Sequence, residues 1–84
     1  MSNANAEYET LLKYQGGGCA ICGTTDHGNG NPRYRMFRID HHPETGEIRG
    51  LLCADCNLAV ALFRDDPALI RRATDYLRSF AVEG

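Results

Sequence analysis

With 84 residues, the chain is long enough for one domain but too short to bury a large core, so we expect residues 1–84 to form a single, cross-linked domain. The net charge of −2 argues against a protein that coats nucleic acid through bulk positive charge. No apolar run approaches the roughly 20 residues of a membrane span, and the first residues lack the basic and apolar regions of a signal peptide. We therefore expect a soluble, cytoplasmic protein with reduced thiols.

The first predicted element is a short amphipathic helix over residues 5–15. Its apolar side chains fall mostly on one side of a helical wheel: Tyr8, Leu11, Leu12 and Tyr14. Three glycines at 16–18 end the helix and lead into the first Cys-x-x-Cys pair. We expect that pair to form a tight turn in which Gly23 relieves crowding around the two sulfurs.

A β-hairpin is predicted in the middle of the chain, after an irregular loop rich in Gly and Asn at 24–34. Residues 35–41 alternate enough to form a strand, with Met36 or Phe37 and Ile39 as its apolar positions. Pro43 and Gly46 indicate a turn at 42–47, and residues 48–52 return as the antiparallel partner.

Two helices are predicted after the hairpin. The spacing of the apolar residues after Cys53 predicts that one helix starts within or just after the second Cys-x-x-Cys pair. The last helix, over 66–80, has an Asp cap and Pro67 in its first turn. Its apolar stripe indicates core packing or a partner interface, and we favour core packing. The stripe consists of Leu69, Ile70, Ala73, Tyr76, Leu77 and Phe80.

Two Cys-x-x-Cys pairs are the strongest chemical signal in the chain: Cys19 with Cys22, and Cys53 with Cys56. In a reducing compartment, this spacing favours one tetrahedral zinc site over two disulfides. A redox dithiol is a further alternative, but it requires an exposed thiol of low pKa. Four thiolates leave no open position on zinc, so we expect the site to be structural.

Three polar residues near the cysteines form a candidate catalytic group. Asp40 offers a carboxylate suited to Mg²⁺, and His41 offers an imidazole that can act as a general base. Asn57, one residue past Cys56, offers an amide oxygen to the same ion. The alternative is a surface Asp-His turn with Asn57 capping its helix, and spacing alone favours that alternative.

Long segments around these residues resemble the recombination endonuclease VII family of phage-type His-Me finger nucleases, which are related to HNH nucleases. The central run is IDHHPETGEIRGLLCADCN, from Ile39 to Asn57. YETLLKYQGGGCAICG precedes it and LFRDDPALIRRATDYL follows it, so the resemblance spans roughly Tyr8 to Leu77.

The resemblance implies a small α+β fold: a ββα-metal core stapled by zinc, with flanking N- and C-terminal helices. It also implies metal-dependent hydrolysis of DNA to 5′-phosphate products. In that family pattern Asp40 and Asn57 hold one Mg²⁺ or Mn²⁺ ion, His41 is the general base, and the four cysteines bind Zn²⁺. Arg35, Arg38, Arg49 and Arg64 are then candidate contacts to DNA phosphates, because guanidinium groups suit phosphate. The alternative for any single arginine is a solvated surface position.

The family pattern also limits these expectations. The family commonly shows Asp-His-x-His, whereas this chain has Pro43 at the second His position and His42 between. We expect His42 to be either a supporting phosphate or metal contact or an exposed loop residue. Branched or distorted DNA is a candidate substrate, a homodimer is left open, and the location would be the host cytoplasm if the protein is phage-encoded. The rival function is a catalytically silent zinc module that binds nucleic acid or protein through its last helix.

Overall fold

The computed structural model describes the backbone of residues 4–80 and the side chains of residues 7–80. The order of elements is helix, two strands and two helices, which is a small α+β fold. The elements are α1 (Ala4–Tyr14), β1 (Arg38–His41), β2 (Ile48–Leu52), α2 (Ala54–Leu62) and α3 (Pro67–Ser79). The two strands pair antiparallel in a two-stranded sheet, and α2 follows the second strand directly. The predicted elements are therefore confirmed, with shifts at their ends.

The first strand is shorter than the sequence pattern predicts, since it begins at Arg38 and not at Arg35. Arg38 pairs with Leu52, the last residue of β2. Beyond that pair, Cys53 leaves the sheet to cap α2, so no strand lies opposite residues 35–37. The chain there still contributes to the core, because Phe37 is 3% exposed.

The connection between the strands is held by His42. Its backbone N–H donates to the Glu47 carbonyl over 2.7 Å, and its carbonyl accepts from Gly46 over 2.9 Å. Its ring Nδ1 accepts from the backbone N–H groups of Glu44 and Thr45, at 3.1 and 3.3 Å. The ring therefore closes the turn through Nδ1, a role outside both alternatives predicted for His42.

The core lies between α1, the hairpin and the cysteine pairs. Its buried side chains are Tyr8, Cys19, Phe37, Leu51, Leu52 and Cys53. Half-buried Leu11, Leu12, Cys56 and Val60 pack against them. Because two cysteines belong to this core, the hydrophobic core and the predicted metal site form one body.

Two polar side chains attach α1 to that body. The Tyr8 hydroxyl accepts from the backbone N–H of Phe37 over 2.8 Å. Just after the helix, Gln15 Oε1 accepts from the Leu51 N–H over 2.8 Å, and its Nε2 donates to the carbonyls of Gly18 and Leu51. The end of α1 is thus joined to both β2 and the first cysteine turn.

Replacing Tyr8 with phenylalanine should destabilise the fold by about 1–3 kcal/mol, since it leaves the buried Phe37 N–H without an acceptor. Urea unfolding at one fixed zinc concentration measures the change. Tyr14→Phe is the matched control, because Tyr14 is 90% exposed. Equal midpoints for the two variants would contradict this role of Tyr8.

The two C-terminal helices begin at side-chain caps. Cys53 Sγ accepts from the Cys56 N–H at the start of α2, and Asp66 Oδ1 accepts from the Ala68 N–H at the start of α3. Pro67 occupies the first turn of α3, as predicted. Within residues 4–80, none of the three helices is long and apolar enough to cross a membrane.

The prediction that the apolar stripe of α3 packs in the core is wrong for the C-terminal half of the helix. Tyr76, Leu77 and Phe80 are 67%, 69% and 76% exposed, while the earlier stripe residues are only half-buried. The pairs of elements that pack closely are the two strands, α1 with β2, and α2 with each strand. The second half of α3 is therefore largely exposed, and no other described element packs closely against the helix. The amphipathic pattern of α1 also includes Tyr14 on its apolar side, but Tyr14 is exposed and lies outside the core.

Candidate functional site

The four cysteines meet at one point in the fold. Their sulfur atoms all lie within 4.8 Å of one another. The Cys22 and Cys53 sulfurs are 3.7 Å apart, close to the ~3.8 Å edge of a tetrahedron with metal–sulfur bonds of about 2.3 Å. None of the four forms a disulfide. The donor set and spacing therefore fit a structural zinc site.

Backbone groups orient the sulfurs on both sides of the cluster. The Ile21 N–H donates to Cys19 Sγ over 3.4 Å, and the Cys56 N–H donates to Cys53 Sγ over the same distance. Each Cys-x-x-Cys pair therefore brings its own N–H···S hydrogen bond, which stabilises charge on the sulfur. The two Cys-x-x-Cys turns therefore each orient one sulfur through the same kind of hydrogen bond.

The thiols differ in how readily they ionise. Burial raises the pKa of Cys19, but hydrogen bonds from the backbone and from Cys22 outweigh it and lower that pKa to about 6. Burial raises the pKa values of Cys53 and Cys56, and hydrogen bonds with the neighbouring sulfurs raise that of Cys56 further. Four sulfurs this close resist carrying four negative charges without a cation, and a bound dication removes that penalty.

Two glycines shape the first cysteine turn, for different reasons. Gly23 has a left-handed backbone conformation with φ of 78°, and a side chain there would meet no atom within 4 Å. Its role is therefore conformational, and the predicted relief of crowding around the sulfurs is wrong. Crowding applies instead at Gly18, where an added Cβ would collide with the Gly23 carbonyl.

Asp40 lies at the end of β1 and is held by an arginine from β2. Arg49 donates from Nε to Asp40 Oδ2 over 2.7 Å and from Nη2 to Asp40 Oδ1 over 2.9 Å. The same Nη2 donates to Asp65 Oδ1 over 2.8 Å. These bonds to Asp40, and then those to Asp65, raise the pKa of Arg49. One guanidinium group therefore bridges two carboxylates.

A β-bulge directs Arg49 towards Asp40. Asp40 pairs with Gly50 and His41 pairs with Ile48, so Arg49 is the extra residue between these two pairs. In an unbroken ladder, Arg49 would project to the face opposite Gly50 and its partner Asp40, because successive side chains alternate. The bulge is thus what allows the bidentate contact.

Asp65 reaches Arg49 from an unusual turn between α2 and α3. Both Arg64 and Asp65 have left-handed backbone conformations, with φ of 58° and 54°. Such a conformation is unfavourable for Arg64 and better tolerated by Asp65, and two in succession are rare. The Asp cap of α3 is Asp66, and Asp65 is the residue before that cap. Capping does not need the Asp65 carboxylate. A second acidic residue beside the cap is therefore the sequence signal that could have pointed to its contact with Arg49.

Asn57 is half-buried on α2 but faces a different cavity from Asp40. Asp40, Arg49 and Asp65 line a cavity of about 410 Å³. Asn57 lines another, of about 480 Å³, with Asn29, Asn31, Tyr34 and Arg38 among its walls, and Asp40 is not among them. The structure thus places the two predicted ligands on the same body without joining them in one cavity.

The imidazole of His41 is exposed to solvent. Across residues 7–80, its ring takes part in no hydrogen bond or ion pair with another side chain or backbone group. His41 follows Asp40 at the end of β1, beside the bulge. The ring is therefore free to contact water or a ligand.

The predicted phosphate contacts differ in their surroundings. Arg35, Arg38 and Arg64 are exposed, and none forms an ion pair with the other described residues. The Arg49 side chain is 34% exposed, and two of its three nitrogens bind carboxylates. The first three arginines are therefore available to an anion, whereas Arg49 already has anionic partners.

Comparison with known proteins identifies a family and curated relatives that match most of the chain. The family described as recombination endonuclease VII matches residues 1–79. The Gene 59 protein of Mycobacterium phage D29 is 38% identical over 73 residues, which is 86% of this chain and 41% of that protein. The Gene 59 protein of Mycobacterium phage L5 is 36% identical over 72 residues, covering 84% of this chain and 41% of that protein.

The chain spans about two fifths of the length of these two curated relatives. No solved structure matches it. The family match nevertheless covers every helix and strand found within residues 4–80, and all four cysteines. The chain belongs to the recombination endonuclease VII family.

Proposed function

We propose that this protein is a metal-dependent endonuclease that hydrolyses DNA phosphodiesters. The observation that carries the proposal is Asp40-His41 at the end of a hairpin strand, on the same body as a four-cysteine cluster, in a chain of the recombination endonuclease VII family. The hairpin and α2 then form the ββα-metal core of a His-Me finger, and residues 1–84 form one nuclease domain. The zinc site holds this core and takes no part in the chemistry, because four thiolates leave it no open position.

His41 is the proposed general base. It takes a proton from the water that attacks phosphorus in line, and a neutral imidazole suits this step near pH 7. Its exposed ring, without a partner among the described side chains, supports this role. His42 is different, since its Nδ1 is used by the turn.

Asp40 and Asn57 are the proposed ligands of one Mg²⁺ or Mn²⁺ ion. Asp40 fits a cation, because its two oxygens already hold a guanidinium group in a half-buried position. An amide oxygen such as that of Asn57 is a suitable second ligand for a hard cation. Its assignment here rests on the family pattern, because Asn57 lines a different cavity from Asp40. Such an ion, when bound, stabilises negative charge on the phosphate and on the leaving 3′ oxygen, so the product carries a 5′-phosphate.

Arg35, Arg38 and Arg64, with Arg49, are the proposed contacts to the DNA backbone. Contacts to phosphates orient DNA without reading its sequence, so we expect low sequence specificity. With a net charge of −2, the protein has little general affinity for DNA, which favours a substrate recognised by shape. Branched or distorted DNA is therefore the proposed substrate class. The proposed location is the cytoplasm of a phage-infected host, and a homodimer is compatible with this function.

Supercoiled plasmid tests the proposal directly. With Mg²⁺ or Mn²⁺, the zinc-loaded protein should convert the plasmid to nicked circles, and end-labelling should find 5′-phosphates. Omission of both Mg²⁺ and Mn²⁺ from the zinc-loaded protein, or Asp40→Asn, should abolish nicking. A parent protein that leaves both the plasmid and a four-way junction intact would favour the silent zinc module instead.

A further inference from the structure

We propose that Arg49 and Asp65 form a switch at Asp40: Arg49 occupies the carboxylate until a divalent ion binds, and Asp65 then retains the displaced guanidinium group. Asp65 is thus a positioning residue of the site. The inference rests on the proposed function, because it assigns a metal ion to Asp40.

Charge and geometry support the switch. The guanidinium group binds both oxygens of Asp40, so a metal ion reaches this carboxylate only by displacing Arg49. A displaced guanidinium group without a partner would lie beside a dication, which is unfavourable. Asp65 removes that cost, since it already binds the same Nη2 atom at 2.8 Å and needs no further ordering.

The backbone around the switch is built for this contact. A bulge turns Arg49 towards Asp40, and two successive left-handed residues bring Asp65 to Arg49. The bulge interrupts the strand ladder, the left-handed conformation is unfavourable for Arg64, and Asp40, Arg49 and Asp65 line one cavity. A surface ion pair that served only stability would gain little from these backbone features, because such pairs contribute about 0–1 kcal/mol.

Binding of Mn²⁺ to the zinc-loaded protein without DNA, measured by electron paramagnetic resonance of the free ion, tests the switch. Arg49→Gln should bind Mn²⁺ more tightly, by on the order of fivefold, because Asp40 loses its competing cation. Asp65→Asn should bind Mn²⁺ more weakly, because Asp40 is then the only carboxylate partner of Arg49 and the guanidinium group is harder to displace. Arg72→Gln and Asp75→Asn repeat the charge changes on exposed positions of α3 and should have little effect.

The double variant separates the switch from a general effect of charge. If Asp65 acts through Arg49, then Asp65→Asn in the Arg49→Gln background should change Mn²⁺ affinity no more than Asp75→Asn does. Zinc content and circular dichroism verify the fold of each variant. If Arg49→Gln does not fold, Arg49→Lys takes its place, because lysine lacks the bidentate fork.

Three results would overturn the switch. Equal weakening by Asp65→Asn in both backgrounds would mean that Asp65 attracts the ion directly. Parental affinity in Arg49→Gln and Asp65→Asn, with loss of binding in Asp40→Asn, would reduce Arg49 and Asp65 to a structural ion pair and leave the proposed metal site intact. Parental Mn²⁺ binding by Asp40→Asn would instead refute the metal site itself.

Discussion

Cys53→Ser is expected to unfold the protein. Cys53 is completely buried, belongs to the metal cluster and caps α2 through its sulfur. Structural zinc contributes about 10–16 kcal/mol to small zinc-binding peptides, whereas the net stability of a folded protein is only about 5–15 kcal/mol. Loss of this ligand therefore removes a free energy comparable to the whole stability of the fold.

Far-UV circular dichroism and zinc stoichiometry measure this effect. The parent should bind one zinc ion per chain and lose its helical signal when a strong chelator is added. Ala20→Ser is the matched control, because Ala20 is an exposed position between the two cysteines of the first turn. A Cys53→Ser protein with the parental spectrum and no zinc would show that the hydrophobic core suffices for folding.

His41→Ala is expected to lower the rate of plasmid nicking by roughly 10²- to 10⁴-fold, the usual contribution of a general base. The side chain is exposed and contributes nothing to the core, so the variant should keep its zinc and its circular dichroism spectrum. Loss of activity with an intact fold would then assign His41 to the chemistry. Rates of nicking under single-turnover conditions separate this step from DNA binding.

The neighbouring histidine provides the control for that experiment. His42→Asn should retain most of the parental rate, because an asparagine side chain can accept the same backbone N–H groups that His42 Nδ1 accepts in the turn. Comparable nicking by His41→Ala and the parent would refute the proposed base. Comparable losses in both variants would indicate that the hairpin turn, and not His41 alone, controls the rate.

The metal cluster was predictable because its signal is local. Cys-x-x-Cys is a short turn, so each pair brings two sulfurs together whatever the rest of the chain does. The helix starts are similar: Asp66-Pro67 specifies the start of α3 through a cap and a fixed φ. The roles of Asp40, His41 and Asn57 came from resemblance to a family, and they stay predictions.

Burial of the last helix was not predictable, because periodicity reports only that a helix has an apolar face. Whether that face is covered depends on where the helix points. That direction depends on the turn at Arg64 and Asp65, which both have left-handed conformations. The residue types at these two positions do not by themselves predict such a turn. Exposed Tyr76 and Phe80 therefore follow from a turn that lies outside the stripe itself.

The order of the elements, the meeting of the four cysteines and the family could be predicted from the sequence, because each depends on spacings along the chain. The surroundings of Asp40 could not, because they follow from how the folded chain packs. A bulge that no residue pattern signals places Arg49 beside Asp40. The turn at Arg64 and Asp65 brings the Asp65 carboxylate, 16 residues after Arg49 in the chain, to the same guanidinium group. Such contacts depend on strand register and on the path of the backbone, which are set by how the whole chain packs.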